Sequence, residues 1–133
     1  MNAFDFFFEN SASLDNLFLV GKEEITFKNL YNSCINLSAR IEKKVGQGRH
    51  IMLISVNNLF FIKSYLAIIK SGNIVIPLDP GIEKENFKYI YGLTNPDLIF
   101  VTQDVGRRLE PEAERCVLPE TINDTKVIEQ ITG

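Results

Sequence analysis

The residues with the means to do chemistry are few in this chain of 133 amino acids. His50 is its single histidine, so a histidine-based metal site has no second ligand to draw on. A serine, histidine and acid triad would use the same His50, yet no G-x-S-x-G elbow presents a nucleophile. Cys34 and Cys116 lie far apart without metal-ligand spacing, and each falls among apolar neighbours. They read as buried free thiols in a reducing cytosol. The glycines of the run GQG, Gly46 and Gly48, stand ahead of a strand pattern and no third glycine follows at the fingerprint offset, so a turn is expected there instead of a phosphate cradle. Asp79 is the one acid at the carboxyl end of a predicted strand, the edge where open α/β sheets bind ligands. Its competing reading is an Asx turn ahead of Pro80. Arg107 and Arg108 with Glu110, Glu112 and Glu114 form a mixed-charge segment that suits solvent. On this basis no residue is assigned a catalytic, cofactor-binding or metal-binding role.

The elements that would position a site are organised around residues 59–80. Phe61, Tyr65, Ile68 and Ile69 recur at helical spacing, with Lys63 and Lys70 opposite and Gly72 as the stop. Ile74, Val75 and Ile76 then make a β-branched run, apolar on both faces, which predicts a parallel strand covered by helices. Pro77 has no N–H to give and should end that strand, with Asp79 and Pro80 turning the chain. Ahead of this unit, Phe4, Phe7 and Phe8 share a face of a short starter helix. The runs 17–20 and 25–27 around Gly21, Lys22, Glu23 and Glu24 predict a hairpin with a four-residue loop. Thr26 is the expected N-cap of a helix over 27–45. Residues 51–56 predict a buried strand, with Asn57 or Asn58 capping the helix over 58–71. Glu83 and Glu85 open a helix whose apolar face is Phe87, Ile90 and Tyr91 and whose stop is Gly92. Residues 98–101 make the next strand, 102–115 a solvated connection and 116–118 a short strand. Residues 120–133 carry little apolar material and predict a loose tail or one marginal helix. The fold class is therefore α/β, a mainly parallel sheet flanked by helices with an amino-terminal β-hairpin.

Bulk properties narrow the classes of partner. A chain 45% hydrophobic and 23% charged, with a mean hydropathy of +0.01, has the make-up of a globular protein with a real core. The net charge of -3 and pI near 5.2 give no electrostatic pull toward nucleic acid or an anionic membrane. The start MNAFDFFFEN lacks a basic region and carries Asp5 and Glu9, unlike a signal peptide, so the expected location is cytoplasmic.

The order of segments resembles a known family. ITFKNLYNSCINLSARI followed by ISVNNLFFIKSYLAIIKSGNIVIPLDP is similar to the amino-terminal region of the adenylate-forming, or AMP-binding, superfamily of acyl-CoA synthetases, aryl-CoA ligases and peptide-synthetase adenylation domains. That family has a T-Y-x-E-L segment opening a helix, then N-S-x-E-F…L-A-x-L-K-A-G-A-x-x-V-P-L-D-P. Thr26, Phe27, Leu30, Asn57, Phe61, Leu66, Ala67, Lys70, Gly72, Ile76, Pro77, Leu78, Asp79 and Pro80 stand at corresponding places. Asn29 replaces the usual Glu, Ser71 the usual Ala, and Gly48 with Arg49 the usual G-D. The resemblance covers about residues 4–102. It implies an incomplete amino-terminal AMP-dependent synthetase subdomain over 1–118, with 119–133 as connection or tail. It also implies activation of a carboxylic acid by ATP and Mg²⁺ and transfer to a thiol such as coenzyme A in the whole enzyme. The family's phosphate loop, adenine and ribose contacts and catalytic lysine have no counterpart here, so no cofactor is expected on this chain itself. The alternative is a free-standing, non-catalytic α/β module for interaction or a small ligand. A piece of a larger enzyme should also expose an apolar face or sheet edge, for which the cluster Phe4, Phe6, Phe7 and Phe8 is the candidate, and a homodimer is the expected result.

Overall fold

A computed structural model describes residues 2–9, 17–20 and 23–122. After helix α1 (Ala3–Phe8), strands β1 (Leu17–Val20) and β2 (Glu23–Thr26) pair antiparallel, with Val20 opposite Glu23. The expected hairpin forms, but its second strand starts earlier than the apolar run because the ladder continues through two glutamates. Then follow α2 (Phe27–Val45), β3 (His50–Ile54), α3 (Leu59–Lys70), β4 (Ile74–Leu78), α4 (Lys84–Thr94), β5 (Leu98–Val101), α5 (Gln103–Leu109) and β6 (Cys116–Val117).

The strands β3 to β6 form one parallel sheet in the order β4-β3-β5-β6, so the runs at 51–56, 74–76 and 98–101 are neighbours as expected. Helices α2 and α3 cover one face, where Leu37, Ile41, Phe60, Ala67 and Ile68 meet Ile51, Leu53 and Phe100. On the other, Phe87 of α4 and Leu109 of α5 pack on Met52, Ile54, Ile99 and Val101. A third cluster lies outside the first helix layer, between α1, α2 and α3.

Local signals account for most helix starts. Thr26 Oγ1 accepts from Asn29 N at 3.0 Å, and Asn58 Oδ1 from Phe61 N at 2.9 Å. Helix α3 buries more than one stripe. Phe60, Ser64, Leu66, Ala67 and Ile68 are all buried, because α1, α2 and the sheet each claim a side.

Five expectations are corrected. Pro77 does not end β4, whose ladder runs on through Pro77 opposite Leu53 to Leu78 opposite Ile54. It is tolerated because β4 is the sheet edge, and an edge strand has N–H groups that no ladder uses. For the same reason β4 is half-covered and Ile74 is 50% exposed, not buried on both faces. Helix α4 passes through Gly92 and stops at Asn95, which takes the left-handed conformation (φ 44°) directly before Pro96. Residues 102–115 are not all solvated connection, since Leu109 is drawn into the core and Val105 packs beside it. Lastly, the phenylalanines near the start are not an open patch. Phe4 and Phe8 are buried against Leu30, Cys34 and Leu66, Phe7 is half-buried beside them, and Phe6 is 73% exposed. Ile122 is buried in the main core. The marginal-helix expectation beyond it falls on 123–133, outside the described residues.

At the amino end of the sheet the GQG run is a turn, as expected. Gly46 and Gly48 have φ of 80° and 73°, and Gly48 N donates to Gly72 O at 2.9 Å. Asn73, 7% exposed, ties this turn to the end of α3. Its Oδ1 accepts from Arg49 N at 2.8 Å, and its Nδ2 donates to Gly46 O at 2.9 Å and Ser71 Oγ at 2.8 Å.

Candidate functional site

Chain direction reverses around β3, because β4 is added on one side and β5 on the other. In open parallel sheets the crevice outside the carboxyl ends at such a point is the usual ligand site. Here that edge is built by residues 55–58 after β3, 79–83 after β4 and Thr102 after β5.

The α3 N-terminus faces this edge, and the protein fills it. Its Leu59 N donates to Glu23 Oε1 at 2.9 Å, while Phe61 N takes Asn58 Oδ1. Ser55 Oγ donates to Val56 O at 2.9 Å and lies 3.3 Å from Asn58 Oδ1, which holds the cap residue in place. The two oxygens take the place an anion would occupy at a helix start. A cleft of about 260 Å³ adjoins them, lined by Glu23, Phe60, Lys63, Pro119, Glu120 and Ile122. It is smaller than the roughly 300–1,000 Å³ typical of small-molecule sites, and two of the seven residues that line it, with Leu59 the seventh, are carboxylates.

Asp79 is exposed and makes the Asx turn. Its Oδ1 accepts from Gly81 N at 2.6 Å, and its carbonyl from Ile82 N at 3.0 Å. Arg108 reaches across from α5 to donate to Pro80 O and, at 2.7 Å, to Ile82 O, while Lys84 Nζ contacts Glu110 Oε1 at 2.5 Å. The lysine's hydrogen bond, foremost, holds the Glu110 carboxyl below its ordinary range. The 79–83 loop is thus pinned by its own turn and by α5. If Asp79 serves only that turn, Asp79→Ala should cost about 1 kcal/mol, the worth of one exposed hydrogen bond, in a urea titration. A loss above about 3 kcal/mol would mean the carboxylate does more than the turn requires.

The remaining candidates do not converge. His50 is exposed at the opposite, amino end of the sheet, with its carbonyl accepting from Asp97 N at 2.9 Å. Cys34 is buried and Cys116 half-buried, and neither is in a disulfide. Burial first, and Glu114 second, push the Cys116 thiol up, so it stays protonated and poorly nucleophilic at neutral pH. Burial, then the neighbouring Glu112 carboxylate, likewise raises Tyr91. Among the described residues no group of three or more His, Cys, Asp or Glu could hold a metal ion, and no helix is long and apolar enough to cross a membrane. Sequence reasoning missed Glu23 at the α3 start and Arg108 on the loop carbonyls. Their partners lie 36 and 26 to 28 residues away, beyond the reach of any local pattern.

Known proteins share both sequence and fold with this chain. It is 28% identical over 120 residues to malformin synthetase mlfA of Aspergillus brasiliensis, matching 77% of this chain and 2% of the synthetase. It is 26% identical over 91 residues to a dimodular nonribosomal peptide synthase of Bacillus subtilis, 68% of this chain and 4% of that protein. Among solved structures, the anthranilate CoA ligase AuaEII in complex with anthranoyl-AMP superposes with a TM-score of 0.82 at 19% identity. That superposition covers 98% of this chain and 27% of the ligase, so the chain spans about a quarter of that structure's length and a few per cent of the synthetases. The model of the family described as AMP-binding enzyme matches residues 8–132, and the chain belongs to that family of adenylate-forming enzymes.

Proposed function

We propose that this chain is the amino-terminal portion of an ATP-dependent, AMP-forming acid–thiol ligase. The whole enzyme activates a carboxylate as an acyl adenylate, with release of pyrophosphate, and passes the acyl group to a thiol, either coenzyme A or a carrier protein. The observation that carries this reading is the family match over residues 8–132. Both thiols are kept because the similar proteins include a CoA ligase on one side and nonribosomal peptide synthetases on the other. In this reading the protein works in the cytoplasm, and residues 1–118 are one layer of a larger domain.

The described residues do not themselves fit a nucleotide with Mg²⁺. Glu23 and Asn58 fill the α3 N-terminus, the glycine turn at 46–48 precedes its strand, and no acidic cluster of metal-binding size occurs among these residues. No catalytic step is therefore assigned to any of them. The layer's contribution is the rigid sheet and the pinned carboxyl-edge loops.

The purified 133 residues are expected to show no micromolar binding of Mg-ATP by calorimetry and no carboxylate-dependent pyrophosphate exchange. Micromolar binding would overturn the assignment of nucleotide contacts to other parts of the enzyme. The reading frame beyond Gly133 is expected to run into T-S-G-S-T-G-like sequence. A stop codon there would instead favour the free-standing module.

A further inference from the structure

We draw no further inference here: the strongest candidate, the apolar cleft of about 320 Å³ beside α5 at the carboxyl ends of β5 and β6, lined by Val101, Gly106, Pro111, Cys116 and Leu118 among others, is an unpartnered face, and nothing among the described residues shows what covers it.

Discussion

Phe100→Ala is expected to lower the unfolding free energy by about 3–5 kcal/mol, the largest loss foreseen for a single truncation here. Phe100 lies in β5, between β3 and β6, and has no solvent exposure. Its ring stacks on Phe60 at 6.4 Å, so it joins the sheet to α3 within the main core cluster. Alanine would leave a ring-sized void whose walls belong to several elements that cannot close in together, and the cavity adds to the lost transfer energy. Domains of this kind have only about 5–15 kcal/mol of stability in all, so the variant should populate unfolded chain at modest urea concentrations. A lower urea midpoint with an unchanged slope is the signature to look for. Ile74→Ala is the matched control. Ile74 is half-exposed on the edge strand, so its truncation should cost about 1 kcal/mol or less. Equal losses at the two positions would contradict the burial described here.

Asn73→Ala should be the next most damaging change, at about 2–4 kcal/mol. No large apolar surface is lost there. What is lost is three partners at once: Arg49 N, Gly46 O and Ser71 Oγ would each lose a bond to a side chain only 7% exposed. A buried polar group without a partner costs its full desolvation, about 1–3 kcal/mol, whereas the bond it replaces is worth less. For a chain of this size the melting temperature should fall by about 10 °C. Asn73→Asp separates the two halves of the bracket. It keeps an acceptor for Arg49 N but sets a carboxylate oxygen where the amide donated to Gly46 O and Ser71 Oγ, acceptor against carbonyl, so it should be no more stable than alanine. A shift under about 2 °C for alanine would mean water replaces the side chain at this turn.

Features confined to a turn or two of chain could be read without coordinates. Thr26 and Asn58 cap their helices because a short side-chain acceptor reaches the N–H groups three residues on, which is set by local geometry alone. The apolar runs at 51–56, 74–76 and 98–101 give parallel strands, the first of them ending at Ile54, because helical segments between them leave room for crossovers. Asp79 makes its Asx turn for a reason two residues long. The family, too, was legible, since helix, cap, strand and turn residues over 57–80 agree at once with one pattern.

Where the chain returns to itself, residue type was not enough. Pro77 looked like a stop, and only its place on the free edge of β4 lets the ladder continue past it. Leu109 sits in a polar run, yet α5 forms because the sheet face beside α4 has space for it. Glu23 at the α3 start, Arg108 on the carbonyls of the 79–83 loop and Asn73 between two turns each pair groups more than 20 residues apart. Residue types and short spacings thus determined α1 to α4, the strands of the sheet and the family they come from, but not α5. The tertiary structure decided which strand is an edge, which face of α1 is hidden and that the helix start at the ligand edge is already occupied, because these depend on the sum of packing over the whole chain and leave no mark within any one stretch of it.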